Sequence, residues 1–118
     1  MKKTLAFAVM TMTAATAFAH AKLQASTPAD HATVSPAPTE LRLQYNEAVE
    51  PAMSSVRLTG PGDAAVPVDK VAADPGDDKA LVLTLPRLAA GPYRAQWSTM
   101  GHDGHHVKGE IRFIRASR

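Results

Sequence analysis

Leu41-Arg42-Leu43-Gln44-Tyr45 alternates apolar and polar side chains at every step, the period-two signature of a strand with one face on a core and one in water. The pattern continues outward from there. Val56 and Leu58 repeat it, as do Val66, Val68 and Val71, while Ala80 to Leu85 is a nearly continuous β-type run. Tyr93, Ala95 and Trp97, then Val107, Ile111 and Phe113, add two more segments, and Lys22 to Ser26 forms a first strand. Pro28-Ala29-Asp30, Pro36-Ala37-Pro38, Gly60-Pro61-Gly62-Asp63, Asp74-Pro75-Gly76-Asp77 and Gly91-Pro92 punctuate the segments with turn residues. Pro28 to Pro38 reads as an ordinary loop. About seven short strands with turn signals every 8–12 residues or so predict an all-β immunoglobulin-like sandwich or Greek-key barrel. Trp97, the only tryptophan, is expected in its core, beneath the loop that follows it.

The first residues speak to compartment. Lys2 and Lys3 precede a mostly apolar run from Leu5 to Ala15, and Ala17-Phe18-Ala19 is an A-x-A cleavage signal. Residues 1–19 therefore read as a secretory signal peptide, cleaved to leave residues 20–118 as one domain that begins at His20. The apolar run is short for a bilayer span, which disfavours an uncleaved anchor. Cleavage removes two of the 13 basic residues and leaves the mature chain with balanced charge. No basic patch is visible, so neither nucleic acid nor membrane insertion of the mature chain is expected. An exported chain without cysteine has neither a disulfide framework nor a thiolate metal site.

Of five histidines, three lie in Met100-Gly101-His102-Asp103-Gly104-His105-His106, and His20 would be the new terminus. A terminal histidine offers its free α-amine and its Nδ1, which close a six-membered chelate ring on one metal ion. Both groups lose their protons readily near neutral pH when a strong Lewis acid is present. In an extended segment Asp103 and His105, two residues apart, point to the same side, and Gly104 between them adds backbone freedom. One amine, two imidazoles and a carboxylate make an N3O set suited to tetragonal Cu(II); zinc could take the same donors tetrahedrally and more weakly. His102 and His106 have the opposite parity and read as solvated rim groups. His31, in a turn, reads as structural or exposed, and Met53 and Met100 as packing residues.

At these residues the chain resembles the CopC family of periplasmic copper-resistance proteins. The resemblance runs from His20-Ala21-Lys22-Leu23 through Ser26-Thr27-Pro28-Ala29 and Leu41-x-Leu43-x-Tyr45-Asn46-Glu47 to Gly91-x-Tyr93-x-x-x-Trp97, then from Trp97 through Asp103-Gly104-His105 to Gly109 and Phe113. It implies a cupredoxin-like or immunoglobulin-like β-barrel and one Cu(II) per chain, with His20, Asp103 and His105 as ligands. Glu47 would stand beside the metal as an acceptor or weak ligand. The resemblance further implies a monomeric, non-catalytic periplasmic carrier or buffer, with a CopD-type inner-membrane protein as a possible partner. Two departures matter. The Pro51 to Lys70 region holds only Met53 where some members carry a methionine-dense Cu(I) loop, so Cu(II) alone is expected. His106 stands where members often have proline. The alternative reading is a copper-dependent oxidase or monooxygenase built on an N-terminal histidine brace, although the chain has little sequence for an extended substrate face.

Overall fold

A computed structural model describes residues 20–117; the expected leader, residues 1–19, and Arg118 lie outside them. The described residues form nine strands: β1 (Leu23–Thr27), β2 (Ala32–Val34), β3 (Glu40–Tyr45), β4 (Ser55–Thr59), β5 (Ala65–Val66), β6 (Ala72–Asp74), β7 (Asp77–Thr84), β8 (Gly91–Met100) and β9 (His106–Arg115). They build a β-sandwich with a four-stranded sheet, ordered β1-β3-β7-β6, facing a five-stranded one, ordered β2-β9-β8-β4-β5. Among the described residues no helix is long and apolar enough to cross a membrane.

The alternation read from the sequence becomes the core. Leu41 pairs with Leu83 and Leu43 with Leu81 across β3 and β7, all four buried. Tyr93 pairs with Phe113 and Ala95 with Ile111 across β8 and β9, and these inward residues are buried too. Burying a side chain of leucine or phenylalanine size stabilises by roughly 1.5–3 kcal/mol, so these two ladders supply much of the drive to form the sandwich. Trp97 joins the core with its indole laid across its cross-strand partner Gly109. A methyl group on Gly109 would lie 2.6 Å from the indole Cζ2, so the glycine makes room for the tryptophan. Tyr45 meets that indole edge-on, with ring centroids 5.3 Å apart. Its hydroxyl is buried without a hydrogen-bond partner among the described residues, and burial pushes the phenol above its usual range.

Two expectations change. The Pro28–Pro38 segment is not all loop: Ala32–Val34 pairs in parallel with Phe113–Arg115 at the edge of the larger sheet. No single strand covers Val66–Val71: β5 ends at Val66 beside β4, Val68 and Val71 lie in the segment that follows, and β6 starts at Ala72 beside β7 in the opposite sheet. The chain crosses between layers there, and Pro67, which has no amide to donate, ends β5. Nine strands replace about seven for these reasons.

The outer face of the smaller sheet carries a closed polar network. Arg42 on β3 pairs with Asp74 on β6, and its Nη2 lies 3.6 Å from Asp77 on β7. Gln44 accepts from Arg42 at 3.2 Å and donates to Asp77 at 3.0 Å. Backbone amides hold both acids below the usual carboxylate range, Gly76 donating to Asp74 and Lys79 to Asp77; Arg42 and Gln44 add to the effect.

Candidate metal centre

The site lies at the end of the sandwich where β8 turns into β9. The ladder between these strands closes at Met100 and His106, and Gly101 to His105 form the tip. Gly104 donates to the Gly101 carbonyl at 3.0 Å and Gly101 to the His105 carbonyl at 3.3 Å, which folds the tip into a tight turn. Gly104 has φ +83°, a left-handed conformation that glycine adopts without cost. Asp103 and His105 thus do not converge as neighbours on an extended strand. Here the carboxylate folds back on its own turn: Asp103 Oδ1 accepts from the His105 amide at 3.0 Å, and Oδ2 lies 3.1 Å from His105 Nδ1. That amide bond first, then the imidazole contact, holds the Asp103 carboxyl below its usual range.

His20 arrives from the other layer, just ahead of β1 in the smaller sheet. Asn46, at the end of β3, clamps this lead-in from both sides: its side chain accepts from the Lys22 amide at 2.7 Å, and its own amide donates to the Lys22 carbonyl at 3.0 Å. Ala21 is buried. With Ala21 and Lys22 fixed, the His20 ring stands perpendicular to that of His105, centroids 5.0 Å apart. Its Nδ1 lies 3.9 Å from Asp103 Oδ2. One donor atom from each of His20, Asp103 and His105 lies within 4.8 Å of the others. All three residues are exposed, so the cluster is open to solvent and to an approaching partner.

Glu47 stands directly behind the turn. A methyl on Gly101 would lie 2.6 Å from Glu47 Oε1 and 3.1 Å from Asp103 Oδ1, so both carboxylates approach a backbone that only glycine leaves uncovered. Gly101 also forms an isolated bridge with Val49, and the Glu50 amide donates to the Met100 carbonyl at 2.9 Å. His102 Nε2 contacts Glu50 Oε1 at 3.0 Å on the rim. The Glu50 segment is fastened below by Ser54, which donates to the Glu50 carbonyl at 2.6 Å and meets the buried Thr99 hydroxyl at 2.6 Å. Nothing in the sequence pattern marks the parts played by Gly101, Glu50 and Ser54. For Asn46 the one signal is an asparagine directly after a strand and before an acid, Glu47. Of the other residues singled out, His106 and His31 are exposed. Met100 is half-buried, and Met53 is 48% exposed rather than packed.

Chemically, the cluster offers two imidazole nitrogens and an ionised carboxylate to one small volume, with a second carboxylate close by. Donors of this kind suit a borderline divalent cation better than a soft one.

Comparison with known proteins agrees with that chemistry. The family model for the CopC domain matches residues 23–115. Copper resistance protein C of Xanthomonas campestris pv. juglandis is 39% identical over 116 residues, covering 93% of this chain and 91% of its own. The structure of CopC from Methylosinus trichosporium OB3b superimposes with a TM-score of 0.77 at 28% identity, covering 82% of this chain and 94% of that one. That of PcoC, a methionine-rich copper resistance protein of Escherichia coli, gives 0.74 at 30% identity, covering 82% and 99%.

Proposed function

The chain belongs to the CopC family, and from that premise we propose that it is a Cu(II) carrier or buffer holding one ion per chain through His20, Asp103 and His105. Members of the family are periplasmic copper-resistance proteins that bind copper and are not enzymes, which sets aside the oxidase reading. The observation that carries the proposal is the convergence of three donors, within 4.8 Å of one another, from two distant parts of the chain.

Removal of residues 1–19 converts the His20 backbone nitrogen from an amide into a primary amine, and the amine and Nδ1 then close a chelate ring on the ion. His105 adds a second imidazole and Asp103 an anionic oxygen, completing the N3O set. The lowered Asp103 pKa keeps that oxygen ionised across the physiological range, so Cu(II) has no carboxyl proton to displace; the protons it does displace come from the amine and the imidazoles. Glu47 accepts hydrogen bonds from ligands of the ion or its water. With two methionines in the mature chain, Met53 and Met100, there is too little thioether for a Cu(I) store.

The exposure of all three residues suits a monomeric carrier that gives up its ion by ligand exchange, one donor at a time. A CopD-type inner-membrane protein is the receiving partner we favour. Electron paramagnetic resonance of the Cu(II) form tests the ligand set. Protein beginning at His20 should show hyperfine structure from three nitrogens, and one nitrogen should vanish in His105→Ala. Identical spectra from that protein and from one with an extra residue ahead of His20 would overturn the assignment.

A further inference from the structure

At the opposite end of the larger sheet, about 30 Å from the turn by the rise of β8, lies a second feature that copper chemistry does not use. It is a cleft of about 420 Å³ between the Gly60–Asp63 loop and the outer face of β8 and β9. Its floor is apolar. Pro92 and Ile114 are cross-strand partners there, and Ile114 is one of two large apolar side chains exposed among the described residues. Above that floor stand Arg94 and Arg112, also cross-strand partners.

Like charges directly opposite on neighbouring strands repel, and one acid moderates them. Glu110 Oε1 accepts from Arg112 at 3.1 Å and 2.9 Å, while its Oε2 reaches Arg94 Nε only at 3.7 Å. Arg112 is thereby hydrogen-bonded, and Arg94 is held only by the longer ion pair. Among the described residues the Arg94 guanidinium makes no hydrogen bond, and its Nε is buried without a partner. Beyond the Nε that faces Glu110, the donors of its fixed fork make no hydrogen bond among the described residues and suit a planar oxyanion.

Two guanidiniums line the cleft against one carboxylate, Asp63, and Glu110 lies beside both arginines. With the charges already near balance, the cleft suits one negative charge rather than two. The rim is costly to build: His31 (φ 64°) and Asp63 (φ 59°), the two non-glycine residues with positive φ among those described, both border this one cleft. Backbone outliers of that kind concentrate where a surface is shaped for use.

We propose that this cleft binds a small amphipathic monocarboxylic acid. Its carboxylate is gripped by Arg94 with Arg112 beside it, and its aromatic or branched body lies on Pro92 and Ile114. The volume is within the range of small-ligand sites. The site is separate from the metal centre and does not depend on the copper reading.

The test is a titration followed in amide proton–nitrogen correlation spectra, with benzoate as probe up to the low tens of millimolar. Acetate serves as the carboxylate without a body and benzyl alcohol as the body without a charge. Benzoate should give saturable shifts at Thr59, Arg94, Arg112 and Ile114, about tenfold tighter than either control. Arg94→Gln should weaken benzoate by about tenfold at unchanged thermal midpoint and Cu(II) uptake. Ile114→Ser should weaken benzoate while leaving acetate alone, which covers the case of a poorly folded arginine variant. Absence of saturation, equal response to acetate, shifts centred on the Gly101–His105 turn, or full binding by Arg94→Gln would each overturn the proposal.

Discussion

Two clusters, each built around aspartate, sit on this sandwich and have opposite character. On the outer face of the smaller sheet, Asp74 and Asp77 meet Arg42, and Gln44 fills the remaining hydrogen-bond capacity. At the β8–β9 turn, Asp103 meets two imidazoles. A guanidinium brings donors only and no lone pair, so the first cluster is closed to any metal and serves to hold β6 and β7 to β3. An imidazole brings a lone pair along with its proton, so the second cluster offers donor atoms that a cation could share. Acid content alone does not mark a metal site. The partners of the acid do.

The largest effect should separate the clusters outright. His105→Ala should lower Cu(II) affinity by more than about a hundredfold, since removal of even an outer partner of a ligand costs roughly ten- to a hundredfold. Arg42→Gln should leave affinity within about twofold. Competition against a chelator of known strength measures both, and comparable losses would break the contrast.

Next come two glycine substitutions. Gly101→Ala drives a methyl between Glu47 and Asp103 and should cost about tenfold in Cu(II) affinity, measured the same way. Gly109→Ala pushes on the Trp97 indole and should instead cost roughly 1–3 kcal/mol of stability in urea unfolding, with copper uptake intact. Together they divide core from site.

Acid sharpens the contrast further. Asp74 and Asp77 have lowered pKa values in the folded chain. The stability they contribute is fully present above the unfolded carboxylate value of about 3.9 and is lost as pH falls through the lower folded values. Arg42→Gln should flatten that acid limb in unfolding curves of the metal-free protein. Copper should leave at higher pH than the chain unfolds, because protons compete for its nitrogen donors first; circular dichroism and copper absorbance on one titration would show the order. The smallest effect belongs to His102→Ala, which removes a rim contact to Glu50 and should shift Cu(II) affinity by no more than about threefold.

Alternation was enough to read the sandwich from the chain because Leu41, Leu43, Tyr93 and Ile111 report burial directly. It could not reveal β2 or the division between β5 and β6. Strands of two or three residues are held by their neighbours' ladders, and their own side chains carry too short a pattern. That His20, Asp103 and His105 carry metal-binding donor types was legible in the sequence. Their geometry was not, since the turn depends on backbone hydrogen bonds among Gly101, Gly104 and His105 that no side-chain period encodes. The Asn46 clamp and the Gly101 approach escaped for the same reason: each is a contact between segments far apart in sequence.

His20 leads into a strand of one sheet, whereas Asp103 and His105 hang from a hairpin of the other. An ion gripped by all three would rivet the layers together at one end, beside the Val49–Glu50 segment whose backbone already bonds to Asp78 in one layer and Met100 in the other. Cargo would then act as a fastener: sliding or splaying of the halves has to break coordination first, and loading deepens the folded well by mass action. A filled molecule would outlast an empty one under proteolysis, so a cell's metal supply would set how long each copy survives.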